Sequence, residues 1–334
     1  MILNRMEEYI VKKRLKIAVV MVGVIALCVF SGISQKSSEA ASSLSNGALQ
    51  GLKVGFAQME NNVSWRVAET KSVQDEAKRL GVELIYTDAQ SSTAKQVSDV
   101  EDMVAQGVKY IILPPREEEG LQPALDKAKA AGIPVILIDR TVKGDDYTTL
   151  IASDFIDEGE RAGKWMIDKL GGSGNVVVLE GTQGATSTID RQKGFEQAIN
   201  GTGVKIIAQQ TAEYTLSEGR RVMENIIQAQ GDNINAVYAH NDDMALGAIQ
   251  AMKAAGIQPG KDVIVVSVDG AKAALQSIIA GELGCTVQCS PFFGPIAFET
   301  IAKLEAGEKV PRYIQNEDLL FDITNAADHI DTAF

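Results

Sequence analysis

The sequence predicts an α/β protein built as two doubly wound parallel-sheet lobes joined by a hinge. Three observations predict it. Short apolar runs alternate with amphipathic stretches, and the pattern restarts near Asp154. The apolar runs are nearly continuous Val, Ile and Leu, as in strands covered by helices on both faces. The chain has 334 residues, and one domain per ~150 residues gives about two domains.

The elements of the first half follow in order. Residues 52–56 read as a strand and 65–80 as a helix stopped by Gly81. A strand at 83–86 precedes a helix at 93–106 stopped by Gly107. A strand at 110–113 precedes a helix at 121–131 stopped by Gly132, and 134–138 is the next strand. Glycine just past a helix is its expected C-terminal stop.

In the second half the helices fall at 155–170, 191–199, 217–228, 244–255 and 271–280. The strands fall at 175–179, 205–209, 236–239, 263–268 and 285–288. Right-handed crossovers make each half a doubly wound layer. No long Pro/Ser-rich linker separates the halves, so a hinge is expected rather than independent beads.

The N-terminus reads as an export signal. Lys12, Lys13, Arg14 and Lys16 precede an uncharged, mostly apolar run of 14 residues from Ile17 to Phe30. That is the size of a signal-peptide core and short of the ~20 residues a bilayer span needs. Ser38-Glu39-Ala40-Ala41 supplies a small-x-small cleavage pattern, so residues 1–41 are excluded from the fold. An uncleaved membrane anchor is the rival reading. Cys28 in Ile25-Ala26-Leu27-Cys28 loosely resembles a lipoprotein box, with Leu27 a poor fit.

The full chain carries a formal charge of −12, and removing residues 1–41 leaves −15. Such an acidic protein is not expected to bind nucleic acid, which needs a positive surface. Two histidines, His240 and His329, supply no His-rich metal site and no legible catalytic set. No metal, cofactor or enzymatic activity is expected. An extended 285–288 puts Cys285 and Cys289 about 13 Å apart, too far for a disulfide.

In open parallel sheets ligands bind beyond the carboxyl ends of the strands. The residues standing there include Gln58, Trp65, Arg66, Asp139, Arg140, Arg191, Tyr214, Asn241, Asp269 and Gln288. Arginines offer forked donors, aspartates paired acceptors, and Asn and Gln both. Trp65 and Tyr214 offer flat apolar faces. A sugar needs this mixture, because each hydroxyl both donates and accepts while the C–H face of the ring packs on an aromatic. No glycine-rich phosphate loop is present. Each residue also has a plainer reading: Asp139-Arg140 as a local ion pair, Trp65 as core, Arg191 as a solvated helix start. Asp242 and Asp243 read as first-turn residues favoured by the helix dipole, and His240 as structural. Three arginines against two aspartates leave room for an acidic sugar, ranked below a neutral one.

The same residues fall in six ordered blocks. These are VGFAQ at 54–58 with SWRVAET at 64–70, AQGVKYIILPP at 105–115, AGIPVILIDR at 131–140, EGTQGATSTIDRQKGF at 180–195, AHNDDMALGAIQAM at 239–252, and VSVDG at 266–270. Over residues 50–320 the sequence resembles the periplasmic (type I) sugar-binding proteins of ABC importers. It resembles the ribose-binding-like group, and within it most the galactofuranose-binding branch. The resemblance implies the periplasmic binding protein-like I fold and a neutral, galactofuranose- or hexose-like monosaccharide held by the ten residues above. Arg66 matches the galactofuranose pattern where ribose binders carry an aromatic. Pro114 replaces an Asn of ribose binders. The position on the last hinge strand is Gln288 in one alignment and Cys289 in another. The resemblance further implies crossings near 153, 290 and 317. The N-terminal lobe is then 48–153 plus 290–317, and the C-terminal lobe 154–289 plus 318–334. The implied partners are the membrane permease subunits of the importer, with a monomeric receptor outside the cytoplasmic membrane. A chemotactic or kinase-coupled sensor is an alternative. A repressor-type effector core is a remoter one, because an export signal stands where a DNA-reading helix pair would be.

Overall fold

Two six-stranded sheets carry the chain, and each repeats the other's order. The computed structural model describes residues 47–334. The proposed export signal, its cleavage pattern and Cys28 lie outside the described residues. Residues 51–334 fold as a single unit. Its strands are β1 (Lys53–Gln58), β2 (Glu83–Asp88), β3 (Tyr110–Leu113), β4 (Val135–Ile138), β5 (Thr149–Ala152), β6 (Ser173–Glu180), β7 (Gly203–Thr211), β8 (Ala236–Ala239), β9 (Ile264–Asp269), β10 (Cys285–Gln288), β11 (Tyr313–Gln315) and β12 (Leu320–Asp322). The helices are α1 (Ser64–Leu80), α2 (Thr93–Ala105), α3 (Gln122–Ala130), α4 (Phe155–Lys169), α5 (Thr186–Ile199), α6 (Leu216–Gln230), α7 (Asp242–Ala254), α8 (Lys272–Ile279), α9 (Gly294–Glu305) and α10 (Ala326–His329).

One sheet runs β11-β5-β4-β3-β1-β2 and the other β12-β10-β9-β8-β6-β7. All pairs are parallel except β10 with β12, where Thr286 faces Phe321. In each sheet the first strand has the second on one side and the third on the other. The order reverses there, which opens a crevice at the carboxyl ends. The inner strands are apolar on both faces: YIIL in β3 and VILI in β4 are buried at every position. Separate apolar cores form on each sheet, around Ile111 and Leu137 in one and Val237 and Met252 in the other.

The chain passes between the sheets three times. It leaves the first sheet after β5 and returns after β10. Helix α9 then packs on α1, β11 pairs with β5, and β12 goes back to pair with β10.

Several elements exceed the sequence expectation. Strand β5, helix α9 and the two three-residue strands β11 and β12 carry no clear periodicity of their own. Helix α5 begins at Thr186 rather than 191. Its first turn, Thr-Ser-Thr-Ile-Asp, is built of weak helix formers. Two of these hydroxyls are held by tertiary contact instead: Ser187 Oγ and Thr188 Oγ1 each lie 2.9 Å from the Tyr214 hydroxyl.

Helices α4 and α5 cross at backbone contact. A Cβ on Gly159 would stand 2.1 Å from the Arg191 carbonyl oxygen, and one on Gly194 would stand 2.0 Å from that of Ile156. Only glycine allows this approach. Its result is that Glu158 on α4 reaches Arg191 on α5.

Candidate functional site

The carboxyl ends of the two sheets face one another across a small cavity of about 30 Å³. Its wall contains Trp65, Arg66, Asp139 and Arg140 from the first sheet's elements. Arg191, Tyr214, Asn241 and Asp269 come from the second's. Glu60, Val63, Ser187 and Cys289 complete it. The eight expected residues are each 6% exposed or less, so the two halves are closed over them. The halves also touch around the cavity. Glu118 N donates to Gly184 O (2.9 Å), Ser64 Oγ to Asp243 Oδ2 (3.1 Å) and Thr141 N to Thr186 Oγ1 (3.3 Å).

Trp65 and Arg66 enter from the first turn of α1. The Trp65 indole donates to the Cys289 carbonyl (2.7 Å), and its ring meets Phe293 edge-on at 6.1 Å. Arg66 lies over that indole at 4.6 Å. It donates through Nη1 to Glu69 Oε2 (2.8 Å) and through Nη2 to Asp139 Oδ2 (2.5 Å). Asp139 also stands 3.4 Å from Arg140 Nε. Arg140 donates to the Arg116 carbonyl (2.9 Å) and reaches across the gap to lie over the Tyr214 ring.

In the other half Arg191 donates through Nε to Glu158 Oε2 (2.7 Å) and through Nη1 to the His240 carbonyl (2.7 Å). Its Nη2 lies 3.8 Å from Asp269 Oδ1. Asn241 caps α7, accepting from Met244 N (2.9 Å), while its amide donates to the Tyr214 carbonyl (3.1 Å). The Tyr214 ring lies flat on Gly181, where a Cβ would stand 1.9 Å from the ring.

Backbone strain gathers at this site. Asp139, Tyr214 and Asp269 have φ of 62°, 60° and 130°, a region that costs a non-glycine residue roughly 1–3 kcal/mol. Each is held by neighbours. Asp139 N donates to Ile151 O, Asn241 holds the Tyr214 carbonyl, and Cys289 N donates to Asp269 O (3.0 Å). Such strain persists where the surroundings over-determine it, and it concentrates at binding sites.

Burial and charge set the proton affinities. Burial works against the Arg66 charge, but Asp139 and Glu69 overcome it and raise its pKa. Arg140 goes down, through burial and then repulsion from Arg66. Burial raises Glu158 while Arg191 pulls it back. His240 is pushed down to about 3 by burial and by Arg191. A buried ionic cluster of this kind is poor evidence for stability, since apolar packing of equal volume does as well. The cluster fits a binding task better.

Two of the ten expected residues stand off the wall. The Gln58 amide donates to Glu69 Oε2 (2.9 Å) and Thr70 Oγ1 (3.0 Å), so it orients the residue that orients Arg66. Gln288 accepts from Leu319 N (3.1 Å) where the chain crosses between sheets, and Cys289 lines the cavity beside it. Cys285 and Cys289 are free and buried. His240 is buried off the cavity wall, its Nε2 3.2 Å from Gln192 Oε1. Asp242 does more than start a helix. It is buried and accepts from Ser267 Oγ (2.5 Å), Thr286 Oγ1 (2.8 Å) and Ala271 N (2.7 Å), tying together the loop that presents Asp269. Burial pushes it up to about 7.

A family model for the periplasmic binding protein domain matches residues 54–309. The chain belongs to the periplasmic binding protein family. Proteins of this family are substrate-binding proteins rather than enzymes. The chain is 41% identical over 267 residues to the galactofuranose-binding protein YtfQ of Escherichia coli (strain K12), covering 78% of this chain and 84% of that one. A solved galactofuranose-binding protein superposes with a TM-score of 0.82 at 38% identity, over 84% of this chain and 98% of its own. The binding component of the arabinose ABC transporter from Shewanella sp. ANA-3, solved with α- and β-L-arabinofuranose, gives 0.81 at 40% identity, over 84% and 95%. In the periplasmic binding protein frame, the cavity is the gap between the two lobes. No described helix is long and apolar enough to cross a membrane.

Proposed function

We propose that this protein is an exported receptor that captures a neutral monosaccharide between its lobes and delivers it to the membrane permease subunits of an ABC importer. One observation carries the reading: guanidinium, carboxylate, amide, indole and phenol groups from both sheets meet around one closed cavity. The YtfQ and arabinofuranose-bound relatives favour a five-membered ring, galactofuranose- or hexose-like. Trp65 and Tyr214 supply apolar faces for the ring. Asp139, Asp269 and Asn241 accept from hydroxyls, and Arg66, Arg140 and Arg191 donate to them.

Capture follows from closure. In the open form each lobe presents half of the donors and acceptors. A sugar that bonds to both lobes favours the closed form by its differential affinity for that form. Closure excludes water, so each charge-assisted bond strengthens. The lobes, 48–153 plus 290–317 and 154–289 plus 318–334, turn about the three crossings. The receptor acts as a monomer outside the cytoplasmic membrane, free once residues 1–41 are removed or tethered through Cys28.

Calorimetry with D-galactose, L-arabinose, D-fucose, D-ribose and D-fructose tests the reading. The expected result is heat and a raised melting temperature with at least one of them. No heat and no thermal shift with any sugar overturns it.

A further inference from the structure

What the monosaccharide receptor proposed above refuses is set, on that reading, by the charge balance of its cavity. Three arginines in one cavity suggest an acidic ligand, since guanidinium suits carboxylate and phosphate. The groups behind two of them argue otherwise. Arg66 is paired with Glu69 at 2.8 Å, and Arg191 with Glu158 at 2.7 Å. Glu69 and Glu158 are 0% and 1% exposed, and neither lines the cavity, so a ligand can neither reach nor reorient them. With those two pairs matched, Arg140 stands 3.4 Å from Asp139, and Asp269 on the same wall adds a second carboxylate 3.8 Å from Arg191. Glu60 adds a further carboxylate to the wall, and no lysine lines it.

The two lobes reach this arrangement by different routes. Glu69 is three residues from Arg66 on one helix, and Gln58 fixes it from behind. Glu158 and Arg191 lie on separate helices brought together by Gly159 and Gly194. In both carboxylates Oε1 has no hydrogen-bond partner. A buried acceptor left unmatched costs stability, so neither carboxylate is explained by packing.

We infer that Glu69 and Glu158 are specificity-determining residues that cancel the charge of Arg66 and Arg191, so that the cavity takes a neutral sugar and rejects sugar acids and phosphate esters. Both are positioning residues: they touch the arginines, not the ligand. An anionic sugar entering the closed cavity loses its hydration and meets no surplus cation, which is strongly unfavourable.

The test is competition calorimetry on the purified protein. The probes are D-galactose and L-arabinose against D-galacturonate, D-glucuronate and D-arabinose 5-phosphate. In the wild type the acidic sugars are expected to bind at least about 100-fold more weakly than the best neutral one. In Glu69→Gln and Glu158→Gln the acid-to-neutral affinity ratio is expected to rise about tenfold, whatever happens to absolute affinity. A merely structural role lowers both affinities together and leaves the ratio unmoved. Acidic sugars within about tenfold of neutral ones in the wild type, or an unmoved ratio in both variants, overturns the inference. If a variant fails to fold, the wild-type ratio decides. If the wild type binds neither class, the receptor reading itself falls, which separates that failure from this one.

Discussion

The guanidinium carbon of Arg140 lies 5.3 Å from the ring centroid of Tyr214, and the two residues come from opposite sheets. Arg140 stands in the loop after β4, and Tyr214 in the strained turn after β7. Their contact exists only while the halves are together. It joins the closed geometry to the ligand site directly, because both groups also form the cavity wall.

Arg140→Ala is therefore expected to abolish measurable sugar binding while the fold persists. Removing one member of a desolvated charged site costs ~2–5 kcal/mol. Asp269→Ala is expected to behave alike. Titration calorimetry beside circular dichroism reads both outcomes. Wild-type affinity in the two variants would mean that the ligand binds elsewhere.

Trp65→Phe keeps an aromatic face but removes the indole N–H that donates to the Cys289 carbonyl at 2.7 Å. That bond ties the first turn of α1 to a crossing segment. A loss of about 1 kcal/mol in binding is expected, the net worth of one neutral hydrogen bond. Trp65→Ala removes the ring as well and is expected to cost several times more. Equal affinities for the two variants would show that the ring face contributes nothing.

Gly159→Ala places a methyl group 2.1 Å from the Arg191 carbonyl. Helices α4 and α5 must part, at a cost of about 1–3 kcal/mol in stability. The same movement draws Glu158 away from Arg191, so binding is expected to weaken too. Urea titration measures the first effect and calorimetry the second. Unchanged stability would show that the helix crossing yields freely.

His240 gives a pH dependence with a definite sign. Burial and Arg191 hold its folded pKa at about 3, against 6.5 for the unfolded chain. The unfolded state therefore binds the extra proton between those values. Stability is present above pH 6.5 and is lost as pH falls toward 3, by up to about 5 kcal/mol from this group. His240→Gln removes that share of the slope. Parallel unfolding free energies for the two proteins from pH 7 to pH 4 would contradict it.

Much of the site was legible because strand ends are. Asp139, Asn241 and Asp269 follow apolar runs that stop abruptly, and a parallel sheet aims such positions into the crevice. The same rule misled at Gln58. A strand end specifies a place but not a side-chain direction, and this amide turns inward to Glu69. Ser187 was out of reach because its helix starts in a turn of poor helix formers that tertiary contacts hold. Glu69 and Glu158 are hidden in the sequence for another reason. Mid-helix glutamates read as solvated, and only the approach of α4 to α5, or the register of α1, turns them inward. Strands β11 and β12 are three residues each, too short to show alternation, and they are recognisable only by the edges they cover.

The three passages between sheets also fix an order of events. Strand β11 closes the edge of the first sheet, yet it lies more than 150 residues after β5, its neighbour there. Strand β12 does the same for the second sheet at residues 320–322. While the chain emerges from the ribosome, neither half has its last edge until the other half has been made. A nascent chain stopped at residue 290 would leave two bare strand edges, one on each half, open to pairing with other chains. The two halves thus become complete within about ten residues of each other.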